Sequence, residues 1–90
     1  MGMEIPYTQK SEILVRGLMR FTAPWLFGRF TVDSDAITLK YFFKTKRLPL
    51  TQITGVKVFD NVLQFSSGKT TYQVRSAKAD AIHEHIETSK

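Results

Sequence analysis

The clearest pattern in the chain is an eight-residue run with apolar side chains at every second position, Ile37-Thr38-Leu39-Lys40-Tyr41-Phe42-Phe43-Lys44. Successive side chains of a β-strand point to opposite faces, so a period of two predicts a strand buried on one face. The polar segment Lys44-Thr45-Lys46-Arg47 follows, and we expect it to form the tip of a hairpin. This stretch therefore predicts an antiparallel sheet.

Further extended runs lie on both sides of this stretch at short intervals. Before it come residues 12–23 and 27–32, and the second run ends in the turn-forming cluster Asp33-Ser34-Asp35. After it come four shorter runs, and the first contains Pro49, which confines that run to a sheet edge or a strand start. Such frequent turns predict seven antiparallel strands bent into a mainly β barrel.

The period changes near the C-terminus. Ala79, Ile82, His83 and Ile86 recur at helical spacing, and Ser76 is a suitable N-cap before them. We therefore expect a helix over residues 77–88 that closes one end of the barrel. Residues 1–11 show no periodic pattern and are predicted to be a loosely ordered lead-in, so that residues 12–90 form the domain.

The composition restricts the classes of function. The chain has 90 residues, a formal net charge of +5 and no cysteine. A basic chain favours acidic partners through long-range attraction, although a charge of this size also serves solubility. The absence of cysteine fits the reducing cytoplasm, and no segment reaches the roughly 20 apolar residues that span a membrane. The expected location is cytoplasmic, including a peripheral position at the membrane.

Candidate catalytic groups are scarce. His83 and His85 are two residues apart on the predicted helix, so they point in different directions and cannot hold one metal ion together. His85 is expected to be solvated, and the eight carboxylates are scattered along the chain. We expect a protein that is not an enzyme and has no cofactor or metal.

Two longer segments, residues 28–39 and 48–56, carry a family resemblance. They resemble bacterial PH and GRAM-type domains of the pleckstrin-homology-like (PH-like) superfamily, and residues 61–65, Tyr72-Gln73-Val74 and the terminal helix follow in the order of that family. The resemblance implies a barrel of two nearly orthogonal sheets capped by the helix. It also implies binding of lipid headgroups, peptides or other proteins, and in some members self-association.

The resemblance is incomplete at the lipid-binding motif. Phosphoinositide-binding members carry a Lys near the end of the first strand and an Arg-x-Arg pair on the second. This chain has Arg16 and Arg20 in the matching region, and then Arg29 followed by Thr31. Half of the motif is missing, which argues against specific phosphoinositide recognition.

The strongest candidate binding feature is the basic and aromatic segment 40–47. Strand alternation predicts that Lys40, Phe42, Lys44 and Lys46 share one outward face, which would suit an anionic membrane surface or a protein interface. Single-stranded nucleic acid is a less favoured partner, and lysines that only protect a sheet edge are the simplest alternative. A homo-oligomer built through strand edges, Phe42 and Trp25 is a further alternative. The predicted binding residues are Lys40, Phe42, Lys44, Lys46, Arg47, Arg16, Arg20, Arg29 and Trp25.

Overall fold

The computed structural model describes residues 4–17 and 20–89, which form two antiparallel sheets and one helix. The strands are β1 (Tyr7–Lys10), β2 (Ile13–Arg16), β3 (Arg20–Ala23), β4 (Gly28–Val32), β5 (Ala36–Tyr41), β6 (Lys44–Pro49), β7 (Ile53–Phe59), β8 (Val62–Ser67) and β9 (Thr70–Arg75). A short 3-10 helix, Leu50–Gln52, joins β6 to β7, and the helix α1 (Ala79–Thr88) ends the described chain.

The N-terminal strands are divided between the two sheets. The first sheet has the order β1-β4-β5-β6, and the second has the order β3-β2-β9-β8-β7. The chain therefore passes from the first sheet to the second between β1 and β2, and it returns between β3 and β4. The core lies between the sheets and includes Phe30, Leu39, Phe65 and Val74, which are almost completely buried. The fold is thus a two-sheet barrel whose strands are buried on one face.

Helix α1 covers this core through one stripe of side chains. Ala79, Ile82 and Ile86 are buried, and the helix packs against β7 and β8. The helix begins at Ala79, two residues later than predicted, and Lys78 directly precedes it. Ser76 lies in the turn before the helix, where its buried hydroxyl accepts a hydrogen bond from the Lys78 backbone N–H at 3.0 Å.

The number of strands differs from the seven that the sequence predicted. Residues 12–23, interpreted as one strand, contain β2 and β3, which pair with each other as a hairpin; residues 18 and 19 of that run lie outside the described residues. The predicted lead-in was wrong for Tyr7–Lys10, which forms β1. That strand pairs with β4 over its full length, and a partner so distant in sequence leaves no local pattern.

The predicted hairpin tip was also wrong. The turn between β5 and β6 is formed by Phe42 and Phe43, whereas Lys44 to Arg47 belong to β6. Phe42 has a backbone φ of 53°, an angle that side-chain-bearing residues seldom adopt. Asp60 and Asn61, a residue pair that tolerates positive φ, form the turn between β7 and β8, and both have positive φ values.

Gly28 marks a close approach between the chain segments that cross between the sheets. A Cβ atom at this position would lie 2.1 Å from the backbone carbonyl oxygen of Ser11. The Ser11 N–H also donates a hydrogen bond to the Gly28 carbonyl at 3.0 Å. Only glycine therefore fits at the start of β4 without a shift of the backbone.

Gly28→Ala is expected to destabilise the protein by about 1–3 kcal/mol, because a backbone atom must move to admit the methyl group. Urea unfolding followed by circular dichroism measures the change in the free energy of unfolding. The control is Gly17→Ala, whose added methyl group would meet only the Thr70 side chain, at 3.2 Å. Equal stability of the two variants would contradict the close approach at Gly28.

Candidate functional site

Three cations lie side by side on the outer face of the first sheet. Lys10 of β1 is paired directly with Arg29 of β4, and Arg29 is paired directly with Lys40 of β5. Directly paired residues of antiparallel strands point to the same face, with their Cβ atoms about 5 Å apart. All three residues are exposed. We call Lys10, Arg29 and Lys40 the basic row.

No member of the basic row forms an ion pair in the part of the chain that the structure describes. The ion pairs found there join Arg47 to Asp35, Arg75 to Glu12 and His83 to Glu87. Like charges placed directly opposite each other destabilise a sheet by about 0.2–1 kcal/mol per pair. The basic row therefore lowers the stability of the free protein, and a bound anion would remove this cost.

Apolar side chains project beside the basic row. Trp25, Leu26, Phe27, Phe42 and Phe43 are exposed, and Phe43 is completely so. We call these five residues the apolar tip. They come from two turns, the one that precedes β4 and the one between β5 and β6. The Phe42 N–H donates to the Phe27 carbonyl at 3.1 Å, and the Phe27 and Phe42 rings stack with centroids 5.8 Å apart. The two turns are thus held together as one apolar projection.

A shallow cavity joins the apolar tip to the basic row. It has a volume of about 240 Å³, and its lining includes all three cations together with Leu26, Phe27 and Phe42. Gly28 forms part of the same lining. The arrangement can therefore contact an anionic group with the cations while the neighbouring aromatic rings contact apolar material.

The structure brings some of the predicted site residues together and separates others. Arg29, Lys40 and Phe42 belong to this surface, and Lys10 joins them although the sequence analysis did not single it out. The prediction that Lys40, Phe42, Lys44 and Lys46 share one face was wrong. Lys44 and Lys46 pair with Tyr41 and Leu39, whose side chains face the core, so both lysines project from the opposite side of the sheet.

The remaining predicted residues lie around this surface. Arg47 is paired with Thr38 on the outer face of the first sheet, and its guanidinium lies 3.3 Å from the Asp35 carboxylate. Arg16 and Arg20 are paired with each other across β2 and β3, in the second sheet. Trp25 is 59% exposed in the turn before β4. It is therefore available for contact.

An apolar groove lies on the other side of the apolar tip. It has a volume of about 430 Å³ and is lined mainly by Phe21, Tyr41, Phe42 and Phe43. Burial raises the pKa of the Tyr41 hydroxyl above its ordinary value, because the charged form is poorly solvated there. Its ring centroid lies 5.5 Å from that of Phe21, which fixes the floor of the groove.

Helix α1 is attached to the turn between β4 and β5 through His85. The prediction that His85 is solvated was wrong, because its Nε2 atom lies 2.7 Å from the Asp33 carbonyl oxygen and the side chain is partly buried.

Within residues 4–17 and 20–89, no group of three or more His, Cys, Asp or Glu side chains is placed to hold a metal ion. No helix in these ranges has the length and apolar character needed to cross a membrane.

Neither a protein-family model nor a curated protein sequence matches this chain. Among solved structures, it is similar to the solution structure of the N-terminal PH domain of the human ARAP2 protein. The match has a TM-score of 0.57 and 13% sequence identity, and it covers 98% of this chain and 83% of that one. At this identity the likeness shows the fold alone. The chain has a PH-like fold, which confirms the predicted fold class.

Arg29→Gln is expected to raise the thermal unfolding midpoint by about 2–8 °C at low salt, because it removes two like-charge contacts from the basic row. Near 0.5 M salt the gain should shrink, since screening already weakens the repulsion. Differential scanning calorimetry at both salt concentrations measures the midpoints. The control is Lys57→Gln on β7, which lies opposite Gln64 and should have little effect. A lower midpoint for Arg29→Gln at low salt would contradict the repulsion.

Proposed function

We propose that this protein is a non-enzymatic docking module that attaches to an anionic membrane surface through the basic row and the apolar tip. The observation that carries the proposal is the direct register of Lys10, Arg29 and Lys40 beside an exposed aromatic projection. A sheet that aligns three like charges, with no ion pair to them among the described residues, is less stable than one with mixed charges. An anionic partner accounts for this arrangement.

The chemistry of a membrane surface suits both parts of the site. Aromatic side chains are favourable at the boundary between headgroups and acyl chains, and the apolar tip offers Trp25, Phe27, Phe42 and Phe43. Each Lys or Arg near an acidic lipid surface contributes about 1 kcal/mol. The basic row would therefore contribute about 3 kcal/mol, and the apolar tip would add to this by insertion.

The proposed location is the cytoplasm, with the protein held peripherally at the inner leaflet, where acidic lipids are concentrated. The proposed subtype is the bacterial PH or GRAM-type domain, on the sequence resemblance of residues 28–39 and 48–56. The missing Arg-x-Arg pair at Arg29 and Thr31 favours attraction to general negative charge over recognition of one headgroup. Binding of nucleic acid by the same cations is less favoured.

A homo-oligomer is the second candidate, and the apolar groove next to the apolar tip favours it. Phe43 of one copy could enter the groove formed by Phe21, Tyr41 and Phe42 of another copy, which would bury the most exposed aromatic ring. Light scattering tests this alternative. A mass near the 10.3 kDa of one chain at every concentration would exclude it, whereas a mass that doubles with concentration would support it.

Sedimentation with vesicles tests the membrane proposal. The protein should sediment with vesicles that contain phosphatidylglycerol at low salt, and much less with vesicles of phosphatidylcholine alone or at high salt. The triple variant Lys10→Gln/Arg29→Gln/Lys40→Gln should bind about a hundredfold more weakly, since it loses about 3 kcal/mol.

The matched control removes the same number of charges elsewhere, as Lys57→Gln/Lys69→Gln/Lys78→Gln. It should retain most of the binding, because these exposed lysines lie outside the basic row. An equal loss in both triple variants would show that net charge alone drives association. If acidic vesicles do not retain the unmodified protein at low salt, the membrane proposal is wrong.

A further inference from the structure

Strand β6 is an open edge of the first sheet. It pairs with β5 in a regular register from Ala36 opposite Pro49 to Tyr41 opposite Lys44. It ends the strand order of that sheet, and no other backbone hydrogen bond reaches residues 44–48 from the parts of the chain that the structure describes. Alternate residues of an edge strand point their N–H and C=O groups away from the sheet. The free side of β6 can therefore accept another strand.

The other sheet edges are less suited to pairing. β1 and β3 have only four residues each. β7 is longer, but its register shifts between Thr54 and Lys57, where Gly55 has a φ of 61°. Short edge strands and bulges are the devices by which proteins block unwanted pairing. β6 has neither device, and its protection consists of charged side chains and of Pro49 at its end, which has no N–H donor.

The charges on β6 discriminate between partners. Lys44, Lys46 and Arg47 repel a second copy of the same strand, and the same charges attract a strand that carries carboxylates. Arg47 is already paired with Asp35 at 3.3 Å. Lys44 and Lys46 have no ion pair within the described residues, and both project from the side of the sheet that faces the core. They are therefore the cations that an added acidic strand would meet.

A cleft lies next to this side of β6. Its volume is about 640 Å³, and its walls include Lys46 and Leu48 of β6. Ser67, Gly68 and Thr70, where β8 turns into β9, also line it. The cleft thus combines cations, an aliphatic side chain and hydroxyl groups along an open strand edge. Carboxylates at every second position of an added strand would meet these groups, because such side chains all point to the same face.

We propose that β6 binds an extended acidic segment of a partner protein as an additional strand. Its carboxylates lie on Lys44 and Lys46 at the cleft, and its alternate side chains lie on the outer face beside Thr45 and Arg47. Main-chain hydrogen bonds would supply affinity, and the two lysines would select acidic sequences. This function goes beyond membrane docking and uses neither the basic row nor the apolar tip. The two proposals can therefore fail independently.

A peptide of eight residues with alternating Glu and Val tests strand addition in the absence of vesicles. Fluorescence anisotropy should show binding of the labelled peptide. Two further peptides carry N-methyl groups, one on every Glu and the other on every Val. In an added strand, the backbone N–H groups of only every second residue face β6, and these belong either to the Glu or to the Val residues. Methylation of that set should weaken binding at least tenfold more than methylation of the other set. No binding, or equal binding of the two methylated peptides, would overturn the proposal.

The charge requirement is tested by the double variant Lys44→Glu/Lys46→Glu. It should lose affinity for the Glu-Val peptide at least tenfold and gain affinity for a matching Lys-Val peptide. Lys57→Glu/Lys78→Glu changes the net charge equally and should keep the original preference. If both double variants changed their affinities for the two peptides to the same extent, net charge alone would explain the binding. That result would contradict the proposal.

Discussion

The pairing of β4 with β5 is the constraint on which both the core and the proposed docking site depend. Phe30 lies opposite Leu39, and both side chains are almost completely buried between the sheets. The adjacent pair, Arg29 and Lys40, must then point outward, because side chains alternate along each strand. A shift of the register by one residue would place the cations in the core and the apolar residues in water. The core therefore holds the two cations together.

The stability of the core also explains how the sheet tolerates this repulsion. Lys10 extends the row because β1 pairs with the other side of β4, opposite Arg29. The local rule that opposite charges face each other across strands is broken at these three residues. Proteins break such rules most often at functional sites. On β6, by contrast, Lys44 and Lys46 follow a local rule, since lysines at a sheet edge discourage aggregation.

Much of the fold could be predicted from local patterns. The period of two in residues 37–41 and the helical spacing of Ala79, Ile82 and Ile86 both correspond to observed elements. β1 could not be found in this way, because Tyr7–Lys10 depends on pairing with a strand about 20 residues away. The turn at Phe42 was misplaced because a Phe with positive φ gives no sequence signal, unlike the Asp60-Asn61 turn.

The candidate site was harder to predict than the fold. Arg29 and Lys40 were each recognised as cations on a strand, but their direct opposition requires the register between β4 and β5. Lys10 was missed because its strand was missed. Strand alternation, if continued beyond Tyr41, would place Lys44 and Lys46 on the face of Lys40, as predicted. A turn of two residues between β5 and β6 reverses the chain at that point, and the lysines move to the other face.

The membrane-docking account is tested most directly by the fluorescence of Trp25, the only tryptophan in the chain. Trp25 belongs to the apolar tip, so its emission should shift to shorter wavelength when vesicles containing phosphatidylglycerol are added. Lipids brominated near the headgroup end of the acyl chain should quench this emission. Quenching should be lost in Lys10→Gln/Arg29→Gln/Lys40→Gln at the same lipid concentration. Vesicle binding of the unmodified protein without a shift or quenching of Trp25 would contradict the account.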